Sequence, residues 1–218
     1  MASPAALPVP PPEHPFRLLR HKARVWYRVH PFDPATGKYG PAAFNDSGLG
    51  WARFSPLIHP RTGKPIPTLY AGSGVKVAIA EVVLHNVPTP STGYLHDLER
   101  DYESRLFLSR VRTPALSLVN LTATGMKAAG LTVGDLFDGD ESDYARTQGW
   151  AQWIWEHMPD AQGLHWMSKR DNRAEVVVLF GDRIPEGVVD DGDSRRLDAY
   201  EQQIVDLLDE MGAGVALK

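Results

Sequence analysis

The sequence predicts an α+β protein in which helices flank a curved, mostly antiparallel sheet. Segments rich in β-branched and aromatic residues, which are typical of strands, occur in clusters between long connections rich in proline and glycine. Helices and strands do not alternate in the regular order of βαβ units, which argues against a parallel sheet. The 218 residues, 43% hydrophobic and 23% charged, match a globular domain in size and composition.

Composition divides the chain into a leader, a main domain and a C-terminal helix. Residues 1–20 form the leader, which we expect to be extended or disordered because residues 1–15 contain six of the 18 prolines. A ligand for a proline-binding module is the alternative. The main domain covers residues 21–190. Residues 191–218 form an amphipathic helix that we expect to dock on the domain, with a subunit contact as the alternative.

The strands of the main domain are predicted from runs of β-branched and aromatic residues. In chain order they are Arg24–His30, Trp51–Phe54, Thr68–Ala71, Leu106–Val111, Ala115–Leu121, Leu164–Met167 and Glu175–Phe180. The connections between residues 31 and 67 are long and irregular. Because loops of this length in a compact domain are commonly functional, this region is a candidate wall of a binding site.

Two helices are predicted within the main domain. The first follows Gly72-Ser73-Gly74, with Ser73 in the capping position, and its apolar residues occupy nearly the whole circumference. Such a helix belongs in the interior, yet it carries Glu81. The second helix, Ser142–Met158, is rich in tryptophan. The carboxylate of the first helix is therefore the first candidate for a functional group.

Charge and residue usage argue against several function classes. The 23 Lys and Arg against 27 Asp and Glu give a net charge of −4, without the basic excess of nucleic-acid binders. The absence of cysteine removes thiolate nucleophiles, disulfides and cysteine-ligated metals. Eight histidines lack metal-ligand spacing, so we expect no metal. No membrane span or secretory signal is visible, which favours a cytoplasmic protein.

Motifs of the common nucleotide and hydrolase sites are also missing. No G-x-G-x-x-G follows a predicted strand, and the chain has no Walker A sequence and no H-E-x-x-H. The segment Ala71-Gly-Ser-Gly-Val75 departs from the G-x-S-x-G elbow at both outer positions. Any chemistry must therefore come from individual polar residues in structurally demanding positions.

Three charged residues occupy such positions. An ionised carboxylate in an apolar helix is costly unless it is paired, so Glu81 is either functional or part of a salt bridge. Arg28 in the first strand and Arg53 after Trp51 carry planar guanidinium groups suited to phosphate or carboxylate. An ion pair at the rim of the sheet is the alternative for an arginine in a strand.

Tyr70 and Ser168 lie at the ends of predicted strands, where polar loops often carry function. Tyr70 precedes the Gly-Ser-Gly turn and can stack against a planar ring while its hydroxyl stays in water. Ser168 follows Leu-His-Trp-Met and precedes Lys169 and Arg170. A core tyrosine and a turn serine are the alternatives.

The order of these residues resembles the RES domain family. The resemblance is carried by Tyr27-Arg28, by Trp51-x-Arg53, by Leu69-Tyr70 with Ala78-x-x-Glu81-Val82, and by Gly163-Leu-x-(aromatic)-x-Ser168. It spans about Arg24 to Asp182 and leaves out the leader and the C-terminal helix. The family is named for an arginine, a glutamate and a serine, and its members are typically toxins of bacterial toxin–antitoxin pairs.

The resemblance implies an ADP-ribosyltransferase-like fold that binds NAD as substrate and breaks its nicotinamide–ribose bond. It implies that Arg28 and Arg53 bind the pyrophosphate or a neighbouring anion and that Tyr70 and Tyr27 flank the nicotinamide ring. It also implies that Glu81 lies beside the ribose and that Ser168 forms a hydrogen bond within the same pocket. The expected catalytic residues are Glu81, Arg28 and Ser168, and the expected NAD-binding residues are Arg53, Tyr70 and Tyr27.

The resemblance also implies an Xre-type helix-turn-helix antitoxin as partner, with a homodimer within the complex as a further expectation. Contact with DNA is expected through the antitoxin alone, and no contact with a membrane is expected. The acceptor stays open among water, phosphate and a protein side chain. Two alternatives remain: transfer of ADP-ribose to a protein target, and a non-catalytic binding module in which the same residues form an ion-pair network.

Overall fold

A computed structural model describes residues 16–98, 105–139 and 141–216, so residues 1–15 of the predicted leader lie outside the described residues. The main sheet has eight strands in the spatial order β1-β8-β9-β10-β5-β2-β7-β11. Its strands are β1 (Leu18–His21), β2 (Arg24–Pro31), β5 (Thr68–Gly72), β7 (Leu106–Thr113), β8 (Leu116–Asn120), β9 (Gly163–Met167), β10 (Glu175–Phe180) and β11 (Val189–Arg196). Within this sheet the β8–β9 pair is parallel and the other pairs are antiparallel, which confirms the predicted α+β class with a mostly antiparallel sheet.

Five helices and two small strand pairs complete the described structure. The helices are α1 (Val75–Val82), α2 (Ala123–Ala128), α3 (Val133–Phe137), α4 (Tyr144–His157) and α5 (Glu201–Glu210). The strand pairs are β3 (Leu57–Ile58) with β4 (Pro65–Ile66), and β6 (Leu95–His96) with β12 (Gly214–Val215). Short 3-10 turns cover Glu141–Asp143, Gly181–Arg183 and Leu197–Tyr200.

Alternation along the strands separates the two faces of the main sheet. In β5, Leu69 and Ala71 pack with Trp26 on one face, whereas Tyr70 packs against the larger core on the other face. That second face is covered by the helices. The apolar face of α5 packs with α1 and β2 through Ile204, and Lys76 of α1 forms an ion pair with Glu210 of α5 at 2.7 Å. The chain thus places α1, with Glu81, against the centre of the sheet.

The two central strands β2 and β5 separate after a short contact. Their register consists of one pair, Tyr27 with Gly72, whereas β2 pairs with β7 over its whole length. Loop residues enter the resulting wedge, because Asn45 exchanges backbone hydrogen bonds of 2.8 and 3.1 Å with Thr68. Both strands and α1 contribute to the wall of the candidate site.

Three local expectations differ from the structure. Trp51–Phe54 is not a strand, since its backbone pairing is limited to the isolated bridge between Ala52 and Ser55. Ser73 does not cap α1, because its hydroxyl accepts the N–H of Glu175 at 3.0 Å and Gly74 takes the N-cap position. The helix predicted over residues 191–218 is confined to α5 (Glu201–Glu210), because residues 189–196 form the edge strand β11, although their sequence lacks the composition of a strand.

Two buried histidines are neutral in the folded chain. His30 places Nε2 2.8 Å from the Ser109 hydroxyl and Nδ1 2.9 Å from the carbonyl of Tyr39, and burial lowers its pKa to about 4. His165 packs against the ring of His21 at a centroid distance of 4.7 Å, and burial lowers its pKa to about 4 as well. Both rings therefore resist protonation as long as the chain is folded.

We expect the free energy of unfolding to decrease when the pH falls below about 6.5. Imidazole in an unfolded chain titrates near 6.5, so protons bind preferentially to the unfolded state between pH 6.5 and 4. Stability is complete above this window and is lost within it, by up to about 3 kcal/mol for each histidine. Urea unfolding at a series of pH values measures this slope. The variant His30→Gln should show a shallower slope, and an equal slope in both proteins would contradict the assignment.

Candidate active site

A cavity of about 890 Å³ opens where the wedge between β2 and β5 meets the C-terminal half of α1. Its walls come from both strands, from α1, from the loop at residues 51–53, from the segment around residues 137–144, and from residues 169 and 170. The structure brings together five of the six predicted site residues in this wall: Tyr27, Arg28, Arg53, Tyr70 and Glu81. The sixth, Ser168, lies directly behind Glu81.

Ser168 holds the carboxylate of Glu81. Its hydroxyl donates a 2.5 Å hydrogen bond to Glu81 Oε1 and accepts the backbone N–H groups of Arg170 at 2.9 Å and Asp171 at 3.0 Å. Ser168 is 2% exposed and follows β9 immediately. Because the two N–H groups fix the hydroxyl oxygen, its proton is directed at Glu81. The serine therefore orients the carboxylate that lines the cavity.

Arg28 faces the cavity with a guanidinium group that no carboxylate neutralises among the described residues. Nη1 donates to the carbonyls of Pro41 and Ala43, both at 2.8 Å, which fixes the group against the loop in the wedge. Nε is buried and has no hydrogen-bond partner in the described part of the chain. Burial lowers the pKa of Arg28 to about 10, so the group stays charged at neutral pH. An unpaired, half-buried cation of this kind is suited to an anionic ligand.

Arg53 also lines the cavity, where it contacts the segment around residues 136–144. Its two terminal nitrogens donate to the carbonyls of Leu136 at 3.0 Å and Gly139 at 3.2 Å. The guanidinium lies 5.1 Å from the ring centroid of Tyr144 and 5.7 Å from that of Phe137. Arg53 thus joins the loop at residues 51–55 to the end of α3 and contributes a second positive charge.

Tyr70 forms a hydrogen bond to the backbone of the loop at residues 51–55. Its hydroxyl oxygen accepts the backbone N–H of Phe54 at 3.0 Å, and its ring meets Trp166 edge-on at a centroid distance of 6.3 Å. Burial raises the pKa of Tyr70 to about 12. The hydroxyl is therefore not in water, contrary to expectation, although the tyrosine lines the cavity.

Lys169 and Arg170, which were not among the predicted site residues, add positive charge to the cavity. The Lys169 ammonium donates to the carbonyl of Phe137, and Arg170 donates to the carbonyls of His85 and Val87. Partial burial and the nearby Arg53 lower the pKa of Lys169. Their position directly after Ser168 is the signal that could have identified them.

The rim of the cavity carries aromatic and acidic groups. His85 Nδ1 lies 2.8 Å from the carbonyl of Val82, and its Nε2 lies 3.5 Å from the carboxylate of Glu141. The indole N–H of Trp51 donates to the backbone carbonyl of Glu141 at 3.0 Å. Burial raises the pKa of Tyr144, which also lines the cavity. Tyr144 lies more than 60 residues after Glu81 in the sequence, so no local pattern marks it as a site residue.

The donor set of the site suits an anionic organic ligand. Four cationic side chains, Arg28, Arg53, Lys169 and Arg170, line the cavity together with the carboxylates of Glu81, Asp138 and Glu141. No group of three or more His, Cys, Asp or Glu suited to a metal ion occurs among residues 16–98, 105–139 and 141–216. A volume near the upper end of the usual range for small-molecule sites, about 300–1,000 Å³, leaves room for an extended molecule. Within the same residues, no helix has the length and apolarity needed to cross a membrane.

The mostly antiparallel sheet with its flanking helices has the ADP-ribosyltransferase-like fold predicted from the sequence. The family model described as RES domain matches residues 16–199. The chain belongs to the RES domain family, which confirms the resemblance.

A solved structure shows the same fold. A chain in the crystal structure of the M. tuberculosis MbcT–MbcA toxin–antitoxin complex superposes with a TM-score of 0.59 at 17% sequence identity. The alignment covers 83% of this chain and 88% of that chain. No curated protein matches the chain in sequence.

Proposed function

We propose that this chain is an NAD-consuming enzyme that cleaves the nicotinamide–ribose bond and acts as the toxin of a toxin–antitoxin pair. The observation that carries the proposal is the Glu81 carboxylate, which Ser168 holds at 2.5 Å in a cavity that also contains Arg28 and Arg53. Membership of the RES domain family supports it. NAD is complementary to these charges, because the carboxylate suits its positively charged ring and ribose and the arginines suit its pyrophosphate.

The proposed reaction needs an anionic group at the sugar. When the bond between the ribose carbon and the ring nitrogen breaks, its electron pair leaves with nicotinamide, which becomes neutral. Positive charge then develops on the ribose, and the fixed carboxylate of Glu81 stabilises it. An acceptor oxygen forms the new bond to the ribose carbon and releases its proton to solvent when the acceptor is water. No metal or thiol takes part in this proposal.

The remaining residues bind the substrate in this proposal. Arg28 offers the charge of its guanidinium to the pyrophosphate or a neighbouring anion, and Arg53 contributes a second positive charge to the same cavity. The rings of Tyr27 and Tyr70 flank the nicotinamide, because a positively charged ring favours an aromatic face. Ser168 acts as a positioning residue behind Glu81, since its hydroxyl is buried and already committed to the carboxylate.

Incubation of the purified chain with NAD, with and without inorganic phosphate, tests the proposal. We expect release of free nicotinamide, and mass spectrometry of the second product identifies the acceptor: ADP-ribose for water, phosphorylated ADP-ribose for phosphate. Labelled NAD incubated with cell lysate gives a labelled protein band when the acceptor is a side chain. Intact NAD under all three conditions would contradict the proposed activity and would favour a binding module.

Replacement of Ser168 by alanine should lower kcat for nicotinamide release by about tenfold and change KM for NAD little. The reason is that Glu81 loses the hydrogen bond that orients it, and a charged hydrogen bond is worth roughly 1.5–3 kcal/mol. Steady-state kinetics measures both constants. The variant Ser168→Thr keeps the hydroxyl and should recover part of kcat. A change confined to KM would contradict a positioning role.

The proposed partner is an antitoxin with an Xre-type helix-turn-helix part that covers the cavity. The structural neighbour was solved as a toxin–antitoxin complex, which supports a protein partner for this chain. Expression of the chain alone in bacterial cytoplasm should stop growth, and the variant Glu81→Gln should not. Growth that continues with folded wild-type chain present would contradict the toxin role. A homodimer within the complex is part of the same proposal and is measured by light scattering of the co-purified complex.

A further inference from the structure

We propose that the mouth of the cavity is an adenosine subsite in which the indole of Trp51 stacks on the adenine of the dinucleotide. The inference rests on the proposed function and adds a specificity to it. The subsite makes the chain select a dinucleotide over nicotinamide mononucleotide, which carries the same scissile bond but lacks the adenosine half.

Trp51 is unusual because it is exposed and fixed at the same time. The residue is 54% exposed, and it lines the cavity. Its indole N–H donates to the carbonyl of Glu141 at 3.0 Å, so the polar edge of the ring is satisfied and the ring face stays open. A large apolar ring held in water at a cavity mouth marks a binding surface.

The loop that carries Trp51 is anchored on both sides. Gln148 of α4 donates from its side-chain amide to the carbonyls of Ala52 at 2.9 Å and Ser55 at 2.8 Å, and Thr147 donates to the carbonyl of Arg53. The hydroxyl of Tyr70 accepts the N–H of Phe54. Four hydrogen bonds with three side chains therefore hold the loop that carries Trp51 before any ligand binds, which reduces the ordering cost of stacking.

Trp51 is linked through Glu141 to the segment that follows the reacting carboxylate. His85 follows Glu81 by four residues and lies 3.5 Å from the carboxylate of Glu141, and the backbone carbonyl of Glu141 accepts the indole N–H of Trp51. Arg53 follows Trp51 by two residues and also lines the cavity. The cavity wall thus offers a carboxylate, cations and an exposed aromatic ring to a substrate that contains a ribose, a pyrophosphate and adenine.

The chemistry of the rim favours a neutral planar base over an anion. Asp138 and Glu141 also line the cavity, and Glu141 contacts Trp51, so their carboxylates disfavour a further phosphate beside the indole. Stacking on an aromatic ring suits a base, which has a π-face, and such stacking changes affinity by roughly tenfold or more on alanine substitution. Nicotinamide mononucleotide has no adenine to stack on Trp51.

Steady-state kinetics of nicotinamide release from NAD and from nicotinamide mononucleotide, with phosphate present, tests the subsite. For Trp51→Ala we expect KM for NAD to rise about tenfold, with kcat within about twofold of wild type. Both constants for the mononucleotide should stay within about twofold of wild type. Trp51→Phe keeps a stacking ring and should recover most of the affinity for NAD. Equal losses on both substrates, or no loss on NAD, would overturn the inference.

Equilibrium dialysis with labelled ADP-ribose separates this inference from the proposed activity. Trp51→Ala should weaken binding of ADP-ribose about tenfold, whether or not the wild type releases nicotinamide. If the wild type releases none but binds ADP-ribose through Trp51, the proposed reaction fails and the subsite stands. Equal affinity of the wild type and Trp51→Ala for ADP-ribose would overturn the subsite, even in an enzyme that consumes NAD.

Discussion

Replacement of Glu81 by glutamine is expected to lower kcat for nicotinamide release by a factor of about 10²–10³. Glutamine has the shape of glutamate and can still accept the hydrogen bond of Ser168, so the change removes the negative charge and little else. That charge is the group that opposes the positive charge on the ribose in the proposed reaction. Stopped assays of free nicotinamide under saturating NAD measure the effect.

A carboxylate that contacts helix α1 but does not line the cavity serves as the matched control. Glu210 of α5 contacts Lys76 of α1 at 2.7 Å, and both side chains are exposed, away from the cavity. We expect Glu210→Gln to keep the wild-type rate, and both variants to keep the wild-type midpoint of thermal unfolding. A Glu81→Gln protein that releases nicotinamide at the wild-type rate would remove Glu81 from the mechanism.

Replacement of Arg28 by alanine is expected to lower kcat/KM for NAD by about 10²-fold, mostly through KM. The cation has an unpaired buried Nε and no ion-pair partner among the described residues, so its charge is available to the ligand. Truncation of a charged partner in a desolvated contact typically costs about 2–5 kcal/mol, which corresponds to this range. Kinetics and equilibrium binding of NAD measure the loss.

Arg28 also holds the carbonyls of Pro41 and Ala43, so the test needs a control for folding. Arg28→Lys keeps the positive charge but replaces the planar set of donors by a compact ammonium group. We expect it to recover part of the affinity for NAD but not the wild-type value. Arg173, whose side chain is 87% exposed, is the matched surface arginine, and Arg173→Ala should change nothing. An Arg28→Ala protein that keeps its KM for NAD would contradict the proposed contact.

Much of the fold was predictable because local composition and tertiary structure agree. The run Val-Val-Val-Leu-Phe indicates a buried strand, and β10 lies in the middle of the sheet. The apolar circumference of α1 indicates an interior helix, and the structure places it against the sheet and α5. Glu81 and Arg28 were identifiable for the same reason, since each is a charged group in an element that otherwise belongs in the core.

The other features depend on contacts that no local pattern contains. Strand β11 is rich in aspartate, and it pairs with β7 where Arg110 and Arg112 both form ion pairs with Asp191, at 2.7 and 2.6 Å. Tyr144 joins the site through the packing of α4, far from α1 in sequence. The expected strand at Trp51–Phe54 is wrong because helix α4 and Tyr70, and not a neighbouring strand, satisfy the backbone of that loop.

The cations of the cavity are tied to main-chain oxygens: Arg53 and Lys169 to the end of α3, Arg170 to the turn after α1, and Arg28 to the loop in the wedge. Their positive field is thus assembled during folding, and the dinucleotide of the proposed reaction would meet cations that are already oriented. The free-energy cost of orienting these groups is therefore part of folding, and it does not recur at each turnover.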